Sequence, residues 1–229
     1  MNGSEELASI ESYVQPRRLY RYRALSNLDQ ELDAITNGYL FCSPYLKLND
    51  PMEGLFASSK LLKKSPNYRT VREAIKDNKQ EIGICSFSET FDHELMWAHY
   101  ADQFTGICVA YSLRRLLEHL PANVSFTRMY YDETVPTVHR TSREPSQLAK
   151  MVLSCKNYRW SYEREWRMFG FQGKVRYGEK GCVTRVYFGS RIHAKNRAKV
   201  IGALAPFGIK TSKMTVGEYF IDFDDLNPE

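Results

Sequence analysis

Short runs that either alternate polar and apolar residues or are apolar throughout punctuate this chain, separated by stretches in which apolar residues recur every three or four positions. The first pattern predicts strands and the second predicts helices. Strands are expected over residues 18–23 (RLYRYR), 39–43, 81–87 (EIGICSF), 107–111, 126–131 (FTRMYY), 181–188 and 214–221. Helices are expected from about 28 to 36, with Ser26 or Asn27 as cap and Gly38 as stop, and over 67–78. Others run from an Asp92 cap through His93 to Tyr100, from Ser112 to Leu120, from Pro145 to about Lys156, and from about His193 to Leu204. This irregular alternation implies an α+β (mixed α/β) fold, with a mixed central sheet and helices packed on its faces. No repeat or low-complexity linker interrupts it, so residues 18–229 are expected to form a single domain after an N-terminal extension, 1–17.

The stretch 158–169, YRWSYEREWRMF, is the most informative. Read as one strand, it puts Tyr158, Trp160, Tyr162, Arg164, Trp166 and Met168 on one face. Arg159, Ser161, Glu163, Glu165, Arg167 and Phe169 fall on the other. Glu163 and Glu165 could then act as a general base or stabilise a cation, oriented by Arg159 or Arg167. The same residues could instead be an ion-pair ladder, the commoner use of a charge run on a strand. Against that, the aromatic mass would hold the polar face rigidly, as a site requires.

Composition narrows the class. The chain has 229 residues, 43% hydrophobic and 26% charged, enough for a sizeable core. No apolar run approaches the ~20 residues that span a bilayer. The acidic start MNGSEELASIESY lacks the basic and apolar segments of a signal peptide, so a cytoplasmic protein with no membrane partner is expected. The five cysteines (Cys42, Cys85, Cys108, Cys155, Cys182) are widely spaced, without a CxxC pair, and read as buried reduced thiols. A net charge of +5 is compatible with phosphate or nucleic-acid binding but makes no case for it alone.

Three further groups could carry chemistry. The loop LNDPMEG offers Asn49, Asp50 and Glu53 as ligand-binding oxygens, but their spacing is not that of a calcium loop, and no metal is expected. As an ordinary turn, it would use Asn49 and Asp50 to bond the backbone. In FSETFDHELMWAHYAD, Trp97 and Tyr100 share a helix face. Ser86 and Ser88 end a strand where hydroxyls meet ligands or cap helices, and His99 is expected as a hydrogen-bonded core or boundary residue. The first strand alternates Tyr20 and Tyr22 with Arg21 and Arg23. An arginine there could hold a phosphate or pyrophosphate, or simply face water. No Walker loop, GxGxxG, HExxH or GxSxG is present.

The segments LYRYRALSNL, FCSPYLKLNDPMEG, ICSFSETFDHELMWAHYADQFTGICVAY, CKNYRWSYEREWRMF and TRVYFGSRI, in this order, resemble a large, mostly bacterial family catalogued as a domain of unknown function, family 2971. The NDP, MWxHYA…GxCxxY and WSYExEWR blocks carry the resemblance, which runs from about residue 18 to 220. A fainter resemblance, in order of elements only, is to the ADP-ribosyltransferase fold. That fold has a His or Arg on its first strand, Ser or Tyr on the next, and a catalytic Glu on a late strand of a split sheet. Arg21, Ser43 and Glu165 are similar in outline. Many members have His in place of Arg21, and FCSP replaces the Ser-Thr-Ser strand of the arginine class. The resemblance implies NAD as substrate, with Arg21 on the pyrophosphate and Tyr22, Trp97 or Tyr100 stacked on nicotinamide or adenine. Glu165, or alternatively Glu163, would stabilise the oxocarbenium ion, and the macromolecular acceptor stays unidentified. Two alternatives remain: a non-catalytic module for a nucleotide, nucleic acid or phosphorylated partner, and a scaffold subunit.

Overall fold

The computed structural model describes residues 15–139, 143–178 and 181–226. In chain order the elements are β1 (Arg18–Arg23), α1 (Leu28–Thr36), β2 (Tyr39–Pro44), β3 (Ala57–Ser58), α2 (Lys60–Lys63), α3 (Tyr68–Glu81) and β4 (Ile82–Ser88). Next come α4 (Glu94–Tyr100), β5 (Ile107–Ser112), α5 (Leu113–His119), β6 (Ser125–Arg128), β7 (Tyr130–Asp132), β8 (Thr137–Val138), α6 (Pro145–Val152) and β9 (Cys155–Asn157). The chain closes with β10 (Glu165–Phe171), β11 (Gly173–Arg176), β12 (Val183–Phe188), α7 (Ala194–Leu204), β13 (Lys210–Val216) and β14 (Ile221–Asp225). The fold is mixed α+β, with helices packed around one large sheet.

That sheet runs β11-β2-β4-β1-β5-β12-β13-β14, with β10 paired to β4 and β6 paired to β10. Its centre is irregular in a way that matters. β10 covers one edge of β4 along its whole length, from Glu165↔Ser88 to Phe171↔Ile82. The other edge is shared by two strands that do not meet. β2 pairs with it through Ser43↔Ile84 and Pro44↔Gly83, and β1 through Tyr20↔Ser88. Between those rungs, Cys85, Ser86 and Phe87 have no strand partner on that edge among the described residues, so the sheet is split there.

Alternation assigns the two faces. Cys85, Phe87, Trp166 and Met168 face the largest core cluster, with Leu28, Leu32 and Ile35 of α1 and Val200 and Leu204 of α7. Ser86, Ser88, Glu165 and Arg167 take the opposite face by the same alternation. Met96 and Trp97 of α4 pack with Tyr20 and Tyr22 in a separate cluster, and α3 and α6 pack together through Ile75, Leu148, Ala149 and Val152. All five cysteines are free, four of them buried. Among the described residues no helix is long and apolar enough to cross a membrane.

Several expected elements differ. Residues 158–169 are not one strand. Tyr158–Glu163 is a 3-10 helix, started by the Asn157 side chain accepting from the Arg159 N–H at 3.1 Å. Arg164 turns left-handed (φ 45°), and only then does β10 begin. The expected strand 126–131 breaks at Met129, whose N–H donates to Glu165 while that of Tyr130 donates to Ser154. The helix from Pro145 stops at Val152, and the next carbonyl, Leu153, accepts from Arg167 at 2.7 Å. Residues 214–221 form a hairpin rather than a strand, turned by Gly217 donating to the Phe220 carbonyl. Asp92 does not cap α4, because His93 is the N-cap, and Ser26 and Asn27 lie in a 3-10 turn ahead of α1. Most of the N-terminal extension lies outside the described residues.

Candidate functional site

The split in the sheet opens into a cleft of about 270 Å³. β1 supplies Tyr20, Arg21, Tyr22 and Arg23, β2 supplies Phe41 and Ser43, and β4 supplies Ile84 and Ser86–Ser88. The loop after β2 adds Lys47, Leu48 and Asn49, and α4 adds Met96 and Tyr100. Lys156, Glu163, Glu165 and Arg167 close one end.

That end is a buried network of five charges. Glu163 and Glu165 are 3% and 4% exposed, so neither sits on a wet face. The Lys156 ammonium lies among three carboxylates, 2.5 Å from Glu163, 3.3 Å from Glu165 and 3.4 Å from Glu53. Arg167 grips Glu165 through Nε at 2.7 Å and Nη2 at 3.2 Å, and its Nη2 also bonds Glu53. Tyr100 donates to Glu163 and accepts from Asn49 at 2.6 Å, tying the rim loop to this end. Ser88 donates to the Glu163 carbonyl at 2.7 Å, and the Glu165 N–H donates to Tyr131 Oη at 2.8 Å. Three acids against two bases leave a net charge of −1.

The two acids of the motif are not equivalent. Burial alone would raise the Glu165 carboxyl, but Arg167 and Lys156 outweigh it and hold the pKa down to about 2. Glu165 is therefore a fixed anion. Burial raises Glu163, the nearby Glu165 charge adds to this, and Lys156 and Tyr100 only partly oppose it. Glu163 is the member of the pair that can take up a proton. Burial works against the Lys156 charge, but Glu165, Glu53 and Glu163 prevail and keep the ammonium protonated.

The other wall is cationic. Arg23 pairs with Glu31. Arg21 has no carboxylate or hydrogen-bond partner among the described residues, and its guanidinium lies 5.6 Å from the Phe87 ring centroid. It is enclosed by protein yet keeps accessible surface, because that surface is cavity wall. Glu31, the carboxylate that acts on Arg21, is already paired with Arg23, so an anion in the cleft would give the Arg21 guanidinium a direct partner.

Of the residues singled out from sequence, Arg21, Tyr22, Arg23, Ser43, Asn49, Ser86, Ser88, Tyr100, Glu163, Glu165 and Arg167 line this cleft. Four do not. Asp50 is a turn residue, its carboxylate accepting from the Met52 N–H at 2.9 Å. Glu53 lies behind the wall as a partner of Arg167 and Lys156. Trp97 is a core residue whose Nε1 donates to the Phe91 carbonyl at 2.7 Å, with its ring set edge-on to Tyr22. His99 is exposed rather than a core or boundary residue, because it lies on the outer face of α4. Sequence reasoning missed Lys156, since nothing in CKN announces that three distant acids converge on it. Among the described residues no group of His, Cys, Asp and Glu is placed to hold a metal ion.

Residues 96–168, from within α4 to within β10, match the model of a family described as "Protein of unknown function (DUF2971)". No curated protein and no solved structure matches the chain.

Proposed function

We propose that the cleft binds NAD and that the protein breaks its nicotinamide–ribose bond, passing ADP-ribose to an acceptor. One observation carries this reading. An unpartnered guanidinium, Arg21, and a carboxylate able to take a proton, Glu163, line the same cleft. NAD carries a dianionic pyrophosphate and, one ribose away, a cationic nicotinamide. Arg21 suits the pyrophosphate through bidentate hydrogen bonds. The net-negative end suits the nicotinamide ribose and the oxocarbenium character that develops as the C–N bond breaks. The electron pair of that bond leaves with nicotinamide. The acceptor's nucleophile forms the new bond to C1′, and its proton passes to Glu163. Glu165 serves as the fixed anion, and Arg167 and Lys156 are positioning residues. A cleft of about 270 Å³ holds the nicotinamide mononucleotide half, leaving the adenosine half at the rim. The resemblance to ADP-ribosyltransferases rests on this arrangement of residues alone.

The deciding experiment is calorimetric titration with NAD and with ADP-ribose, with nicotinamide release followed in the same samples. Wild type should bind and release nicotinamide, and Glu163→Gln should bind but release at least about a hundredfold more slowly. Unchanged release in the Gln variant would remove Glu163 from the chemistry. A second reading, a non-catalytic module for a nucleotide or phosphorylated ligand, is favoured by Arg21 itself, which calls for an anion but not for a reaction. Binding without any release would select it.

A further inference from the structure

Around the Glu163 end, partly exposed rings form a continuous ladder. Tyr100, in the cleft wall, has its ring centroid 6.4 Å from that of His99, and His99 lies 6.3 Å from Tyr162. Tyr162 lies 6.2 Å from Trp160, whose ring packs 4.9 Å from the Lys156 ammonium. Both ends of the ladder therefore rest on residues of the cleft. Tyr158, which opens the 3-10 helix, is 58% exposed, and among the described residues its side chain has no ring or hydrogen-bond partner. The 3-10 helix shapes this display. With three residues per turn, Trp160 shares the side of the buried Glu163 and packs over Lys156, while Tyr158 is exposed.

The charges beside the rings are asymmetric. Arg159 within the 3-10 helix and Arg164 just after it are exposed, the latter 54% although 3.3 Å from Glu89. Asp92 and Glu94, at the start of α4, are exposed too. A polyanion is thus attracted along the 3-10 helix and repelled from the first turn of α4, not from its His99–Tyr100 end.

We infer that this ladder docks single-stranded nucleic acid, with unpaired bases on Trp160 and Tyr158 and the backbone along Arg159 and Arg164, and so presents the strand as acceptor to the Glu163 end of the cleft. The acceptor role rests on the proposed function; the docking does not. Flat rings beside guanidinium groups fit bases and phosphates together, because every base offers a π-face. An extended peptide would need a row of backbone partners or side-chain pockets.

The test uses the full chain and a fluorescent oligothymidine strand, followed by anisotropy without NAD. Binding should weaken steeply with added salt. A duplex of mixed sequence should compete poorly. Trp160→Ala and Tyr158→Ala should each weaken binding about tenfold, and the exposed Tyr158 ring can be removed without touching the fold. A folded protein that leaves anisotropy unchanged, equal affinity in both variants, or equal competition by duplex would overturn the docking. With NAD added, label on the strand is expected. Strand binding and nicotinamide release with no label would overturn the acceptor role. Strand binding without any release would instead sink the proposed function and leave the docking standing.

Discussion

The two ends of the cleft handle buried charge in opposite ways. At one end Arg167 is held by Glu165, Glu53 and a main-chain carbonyl, and Lys156 by three carboxylates. At the other end Arg21 lines the cavity over the Phe87 ring, with Cys85, Tyr111 and the Arg23-paired Glu31 nearby but no ion pair of its own among the described residues. Satisfied charges fix a shape, and removing one strands its partners. An unsatisfied charge weakens the empty protein and gains only when a ligand supplies what is missing. Stability and binding should therefore respond to mutation in opposite senses at the two ends.

The severest break is Arg167→Met, which leaves Glu165 and Glu53 buried without their shared partner. Guanidinium unfolding should record a loss of about 3–5 kcal/mol; a loss below ~1 kcal/mol would mean that the network is not the keystone described. Acid should act on the same end more gradually. Glu165 has a lowered folded pKa, so its contribution is full above the unfolded value of 4.5 and is lost as pH falls toward about 2. The span corresponds to about 3 kcal/mol. Glu163 has the opposite sign: its raised pKa favours the fold at low pH, and that contribution fades as pH rises through the folded value. Melting temperature measured from pH 5 to pH 2 should fall in wild type and fall less in Glu165→Gln.

At the other end, Arg21→Met should leave stability within about 1 kcal/mol of wild type or improve it, because the charge removed has no ion pair of its own. NAD affinity should nonetheless drop ten- to a hundredfold, the weight of charge-assisted hydrogen bonds. A destabilisation matching that of Arg167→Met would erase the contrast between the ends. The smallest change is Tyr100→Phe, which takes one donor from Glu163 and a partner from Asn49. It should cost about 1 kcal/mol. It should also move the pH profile of nicotinamide release upward, since that hydrogen bond lowers the Glu163 pKa.

These contrasts also mark what a linear reading can reach. Strands β1, β2, β4, β5 and β12 were legible because their signal is local: alternation in β1 and short apolar runs in β4 and β5. Arg21, Ser43, Glu163 and Glu165, singled out from sequence, all line one cleft. Residues 158–169 misled because a period of two and a 3-10 helix followed by a left-handed residue fit the same short string. The capping carbonyl of Asn157 and the φ of Arg164 leave no trace in hydrophobicity. The ion-pair ladder weighed as an alternative is present as a network, but its burial was not legible. Its other members, Glu53 and Lys156, come from separate elements, and burial depends on α6, β9 and the loop after β2 meeting there. Trp97 lies in the core instead of the cleft and His99 in solvent instead of the core boundary, because two positions are about 200° of helical phase.

The gap beside β4 has a consequence for main-chain recognition. Over Cys85–Phe87 a central strand keeps one edge without a neighbour among the described residues, so a ligand in the cleft can meet peptide groups as well as side chains. Such contacts survive most substitutions, because every residue but proline carries the same donor and acceptor. In hydrogen–deuterium exchange, amides directed into the gap should lose protons far sooner than their β10-facing neighbours, and a bound ligand should slow them. The middle of this sheet would then behave as an edge until it is occupied.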